Sequence, residues 1–231
     1  MSRRIGNTRL GLWIAFSAAL YAPVVWGAAS GSFPQSSSNY QSMSDEDRAK
    51  AAYNSALGLL KDGDAFDANA AKATGDEQTK AQKKARKAYE RARKKFQDAT
   101  TYTPQLAEAW NGVGYTQRKL GSYVAALAAY EQALRLKPGY PEALEYRGEA
   151  YLGLNRVAEA KQTYLDLFSS NRNLSNTFLT SMRGWVQSRR QSPDGVDAAT
   201  LSELEKWIEE RSQIAGQTAA MTRAGAPASW Q

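Results

Sequence analysis

The chain has 231 residues, enough for one extended domain, with 42% hydrophobic and 23% charged side chains, a balance that can bury a core and argues against wholesale disorder. It contains no histidine and no cysteine, which excludes a Ser-His-Asp triad, His- or Cys-ligated zinc, thiol nucleophiles, iron–sulfur clusters and disulfides. The formal charge of +7 falls to +4 once Arg3, Arg4 and Arg9 are set aside with the N-terminal segment, too little for a whole-molecule nucleic-acid footprint.

Met1 to Arg9 is a short basic stretch, and Leu10 to Ala29 then runs without a charge to the small residues Gly27-Ala28-Ala29. Basic start, apolar middle and small-residue exit predict a secretory signal peptide over 1–29, cleaved after Ala29. The alternative is an uncleaved anchor, because about 20 uncharged residues can span a bilayer. The expected location is periplasmic or otherwise exported, or inner-membrane anchored facing the periplasm. Residues 30–44 are Ser/Gln-rich and nearly uncharged, and read as a flexible linker.

A first helix is expected over about 45–62, followed by a loop and then a long helix from about 77 to 101. Asp62, Asp64 and Asp67 cluster around Gly63 without the oxygen order or closing Glu of a calcium loop, so a solvated turn is expected there. On the long helix, Lys80, Lys84, Lys87, Arg91 and Lys94 fall on one face at spacings of three and four. Ala81, Ala85, Ala88, Ala92 and Phe96 form a second, inward face. The basic ridge has no free aromatics for base stacking, so no nucleic acid is expected.

From residue 107 onward the sequence repeats itself. Trp110, Gly114, Gly121, Ala126 and Tyr130 correspond, 34 residues on, to Leu144, Gly148, Asn155, Ala160 and Tyr164. Stepping back by 34 from Ala126, Tyr130, Ala133 and Pro138 gives Ala92, Phe96, Ala99 and Pro104. Small residues suit the close approach of paired helices, aromatics fill the space between successive pairs, and proline ends a helix. Gly121 and Asn155 suit the left-handed residue of a tight turn. Ala52, Ala56 and Gly63 align with Trp110, Gly114 and Gly121, but about 24 extra residues, near 64–84, interrupt that first repeat.

This register resembles the tetratricopeptide repeat family over about residues 89–168. The resemblance implies an all-α, right-handed α-solenoid of about three helix hairpins over 45–172, whose concave groove binds peptides or proteins. Residues 173–216 are expected to form C-terminal capping helices: Phe178, Leu179, Met182, Trp185 and Val186 on one, then the turn Pro193-Asp194-Gly195, then an Asp197-capped helix. Residues 217–231 read as a disordered tail. Carried over position by position, the groove falls on Lys50, Tyr53 and Leu57, on Asn111, Tyr115, Arg118 and Lys119, and on Glu145, Glu149 and Leu152. Relatives that clamp a C-terminal carboxylate use Lys and Asn where this chain has Tyr53, Leu57, Gly112, Glu142 and Tyr146, so that partner class is not expected.

The functional expectation is therefore an envelope adaptor holding a protein or peptide partner, with no catalytic residue, cofactor or metal. An alternative binds an anionic envelope polymer or a membrane surface through the ridge at 80–95. A remote one is a glycan hydrolase built on Glu145 and Glu149. The oligomeric state is left open.

Overall fold

A computed structural model describes residues 43–224, with side chains through residue 218; the expectations for 1–29 and 30–42 lie outside the described residues. Eight helices are present among them: α1 (Asp45–Lys72), α2 (Gly75–Tyr102), α3 (Ala107–Lys119), α4 (Tyr123–Leu136), α5 (Pro141–Gly153), α6 (Val157–Ser170), α7 (Arg172–Gln191) and α8 (Ala198–Ala224). Consecutive helices pair as hairpins, giving three repeat-like pairs and a closing pair, an all-α solenoid.

The first pair departs from the sequence expectation. Residues 63–72 and 75–76, expected to lie in a loop, are helical, and only Ala73 and Thr74 separate α1 from α2. Ser44 caps α1 by accepting from the Asp47 backbone N–H at 3.1 Å, and Asp45, Glu46 and Asp47 complement the positive helix end. Gly63 does not end the helix. It is buried mid-helix, where a Cβ would lie 2.6 Å from the Tyr89 ring. Small residues continue along the whole seam: Ala49, Ala52, Ala56 and Ala70 on α1 face Ala85, Ala88, Ala92 and Ala99 on α2, all buried. The inserted residues are thus a lengthening of the hairpin. At about 1.5 Å per residue, its 28-residue helices run to about 42 Å, against about 20 Å for the 13 residues of α3.

Beyond α2 the 34-residue register is realised as packing. Ala92, Ala126 and Ala160 are fully buried, as are Tyr130 and Tyr164, with Phe96 1% exposed. A Cβ on Gly114 would collide with the Tyr130 ring, and one on Gly148 would meet Phe178 and Thr163. Gly121 and Asn155 both take left-handed backbone, at φ 79° and 59°. The odd-numbered helices touch in succession (α1 with α3, α3 with α5, α5 with α7), whereas each even-numbered helix meets mainly its partner and the next odd-numbered one. That asymmetry draws α1, α3, α5 and α7 together as the inner, concave layer.

The closing pair is well anchored. Asn171 caps α7 through the Leu174 N–H at 3.0 Å, and Asp197 caps α8 through the Thr200 N–H at 2.8 Å. Phe178, Met182, Leu204 and Ile208 bury the last repeat face. Helix α8 continues to Ala224, so 217–224 are helical, not a frayed tail. Among the described residues, no helix is long and apolar enough to cross a membrane.

Candidate functional site

Helical spacing decides what the inner layer presents. On α1, Tyr53, Leu57, Leu60, Asp64 and Asp67 recur every three or four residues and form one stripe. On α3, Asn111, Tyr115 and Arg118 do the same, and on α5 so do Glu142, Tyr146 and Glu149. These stripes enclose a cleft of roughly 180 Å³ between α1, α3 and α5. Leu57, Leu60, Phe96 and Gly112 supply its apolar part, and Tyr53, Tyr115 and Tyr146 its aromatic walls. Tyr53 meets Phe96 edge-on at 5.6 Å, and Tyr115 meets Tyr146 edge-on at 5.0 Å, geometries that hold the rings in place. Leu57 is 42% exposed, an apolar side chain open to solvent at the mouth.

The charged groups around the cleft already have partners. Arg118 pairs with Glu149 at 2.5 Å, and its guanidinium lies 4.9 Å from the Tyr115 ring centre and 5.3 Å from that of Tyr146. Ser181 on α7 donates to Glu149 at 2.8 Å. Lys119 pairs with Asp67 and sits over the Tyr89 ring. Asp64 accepts from the Tyr89 hydroxyl at 2.8 Å and from the Tyr115 hydroxyl at 2.9 Å. Burial and the Asp64 carboxylate together push the Tyr115 phenol upward, so it stays a donor. The Asn111 amide lines the cleft beside the Tyr140 hydroxyl, with its Oδ1 buried.

The sequence candidates therefore divide. Tyr53, Asn111 and Tyr115 line the cleft, and Arg118, Lys119 and Glu149 surround it as paired charges. Lys50 is exposed on α1 and takes no part in the cleft lining. Leu152 is a correction: it is 3% exposed and packs with Leu167 and Phe178, because α7 covers that position of the last repeat. Glu145 is 4% exposed; burial and the neighbouring Glu149 push its carboxyl up to about 7. With Glu145 interior and Glu149 held by Arg118, the two acids are not presented as a free pair to a glycan. The Asp64 and Asp67 expectation is also corrected, since both lie on a continuous helix and bind Tyr89, Tyr115 and Lys119. Lys80, Lys84, Lys87, Arg91 and Lys94 are all exposed along α2, with Ala85, Ala88, Ala92 and Phe96 facing inward.

Leu60, Asp64, Phe96 and Glu108 are site residues that the position-by-position transfer did not select. For Asp64 the available signal was its place on the Tyr53–Leu57–Leu60 stripe, which reaches it only if α1 continues past Gly63.

Comparison with known proteins agrees with this architecture. One tetratricopeptide repeat family model matches residues 83–141 and a second matches residues 117–175. An uncharacterized protein ycf37 from Guillardia theta is similar, with 30% identity over 91 residues, 39% of this chain and 50% of that protein. The chain thus spans about half the length of the curated relative it matches. Register, buried small-residue contacts, left-handed turns and these matches converge: residues 83–175 form tetratricopeptide repeats.

Proposed function

We propose that this protein is an interaction adaptor that holds an extended segment of a partner protein in the cleft between α1, α3 and α5. Tetratricopeptide repeats generally mediate protein–protein contacts, and the inner layer is where three helices converge on one cleft. The single observation that carries the reading is the apolar and aromatic trough of Tyr53, Leu57, Leu60, Phe96, Tyr115 and Tyr146, with Leu57 open to solvent at its mouth. Apolar side chains of an extended segment would fill the space near Leu57 and Leu60, with the Asn111 amide in the wall beside them.

Because Arg118, Glu149, Lys119 and Asp67 are mutually paired, breaking them to engage ligand charges would cost what it returned. Affinity is assigned instead to two or three apolar anchors and main-chain hydrogen bonds. This is a binding role with no chemical step. The setting we propose is the cell envelope, outside the cytoplasm, supported by the basic start, uncharged stretch and small-residue exit of residues 1–29. Mass measurement of the mature product tests that setting; a mass that begins at Ser30 is expected.

A photoreactive residue at Leu57 tests the binding role, with one at Val124, which is 72% exposed on α4, as control. Crosslinked partner is expected from position 57 and not from 124, and Asn111→Leu should abolish it. Equal labelling at both positions, or labelling indifferent to Asn111→Leu, would refute the cleft as the site.

A further inference from the structure

The lengthened α1–α2 hairpin carries a second surface, separate from the cleft. Its outermost ties to the rest of the stack are Asp67 and Tyr89, both at Lys119. Among the described residues, no hydrogen bond or ion pair joins residues 68–88 to another hairpin. The arm is held by its own seam of Ala70, Ala85 and Ala88. Beyond Asp67, α1 runs on for five residues, about 8 Å, to Lys72.

One edge of this hairpin is both grooved and cationic. Two clefts, of about 430 and 380 Å³, open along it between the helices. The outer one contains Phe66, Ala73, Ala81, Lys80 and Lys84, and the inner one Leu59, Arg91, Lys94 and Lys95. The Lys84 ammonium lies 5.6 Å from the Phe66 ring centre. Lys80, Lys84, Lys87, Arg91 and Lys94 follow one α2 face over about four turns, roughly 21 Å. None of the five holds an ion pair among the described residues, whereas Lys95 pairs with Asp98 and Arg86 with Glu90. Glu77 and Asp62 are the acids on this edge without an ion pair, so the cations outnumber them.

We propose that this edge is a docking groove for an acidic amphipathic helix of a protein partner, laid lengthwise into the α1–α2 seam. Leu59 and Phe66 are seven residues apart on α1, two helical turns, which is the spacing at which a third helix presents apolar side chains from one face. Carboxylates flanking that face would meet the lysines and Arg91. A bilayer is a poorer match, because Leu59 and Phe66 are half-buried within the seam and do not project from it. The large exposed hydrophobics, Met43, Leu57, Tyr102, Val124, Leu165 and Ile214, are all elsewhere among the described residues. A purely ionic polymer would make no use of the apolar floor.

The test uses the purified protein and three probes by fluorescence anisotropy or flotation. These are a stapled helical peptide of about 16 residues with Leu at i, i+4, i+7 and i+11 and Glu on its flanks, a scrambled isomer of identical composition, and phosphatidylglycerol vesicles. The patterned peptide is expected to bind at least about tenfold more tightly than its isomer and to weaken as salt rises through the range where screening sets in. Lys84→Glu with Lys87→Glu and Arg91→Glu should abolish binding, and these exposed changes leave the fold intact by circular dichroism. Phe66→Ser should weaken binding about fivefold or more; Lys84→Ala, which leaves the seam untouched, guards against a folding artefact by weakening it too. Equal binding of the scrambled isomer would overturn the proposal in favour of a simple polyanion site. Vesicle binding without peptide binding would overturn it in favour of a membrane surface.

Discussion

Replacing Glu145 with Gln removes a buried carboxyl whose charge the fold opposes. Glu145 is 4% exposed on α5. Burial raises its pKa, Glu149 and Glu142 raise it further, and Arg118 offsets them in part, leaving it at about 7 against an ordinary 4.5. The folded state therefore holds a proton that the unfolded chain has already released. Between about pH 4.5 and 7 stability must fall as pH rises, because the native state binds more protons. Each pKa unit is worth about 1.4 kcal/mol, so the shift sets a ceiling near 3 kcal/mol; local relaxation brings the expected effect to about 1–2 kcal/mol. Urea unfolding followed by circular dichroism should show wild type and Glu145→Gln within about 0.5 kcal/mol at pH 4.5. At pH 8 the variant should be the more stable by the 1–2 kcal/mol just given, a rise of roughly 2–8 °C in Tm. A variant no more stable than wild type at pH 8, or a difference independent of pH, would refute the assignment of an uncompensated carboxylate there.

Gly114→Leu drives a side chain into the fully buried Tyr130 ring, and calorimetry should show a loss of about 1–3 kcal/mol or more; an unchanged Tm would mean that α3 and α4 are not packed at that point. Arg118→Ala leaves Glu149, 22% exposed, without its cation, and chemical denaturation should show a cost of about 2–3 kcal/mol; Arg118→Ala with Glu149→Gln together should recover part of it. Asp64→Ala removes the acceptor shared by Tyr89 and Tyr115, so amide exchange should quicken across the α1–α2 hairpin while α5 and α6 keep their protection. Asn155→Ala puts an ordinary residue at φ 59° and deletes a 2.8 Å bond to the Asp194 carbonyl, for an expected loss of about 1–2 kcal/mol by thermal melting.

What the sequence discloses here depends on how local the cause is. The repeated turns were readable because one left-handed residue fixes each of them, as at Gly121 and Asn155. The buried alanines and tyrosines were readable because small-against-aromatic packing recurs at a fixed period. Helix α1 beyond Gly63 was not. A glycine in register with the turn at Gly121 reads as a stop, and only the distant Tyr89 ring explains why it sits mid-helix. The polar contacts of the inner face were equally hidden, since Asp64 and Tyr115, joined by a hydrogen bond, are 51 residues apart and no spacing rule links them. Leu152 did carry a signal: an apolar residue stands where the preceding repeat has Arg118, as expected when a further helix covers that position.

The function rests on the inner cleft being a seat for a partner segment. Selection of displayed peptides against the wild-type protein, counter-selected on Asn111→Leu, addresses that most directly when followed by amide-exchange mapping of the winners. The account predicts a family of peptides with two or three apolar anchors that protect α1, α3 and α5 around Tyr53, Asn111 and Tyr115. Peptides that bind Asn111→Leu equally well, or that protect only the outer helices α4 and α6, would contradict it.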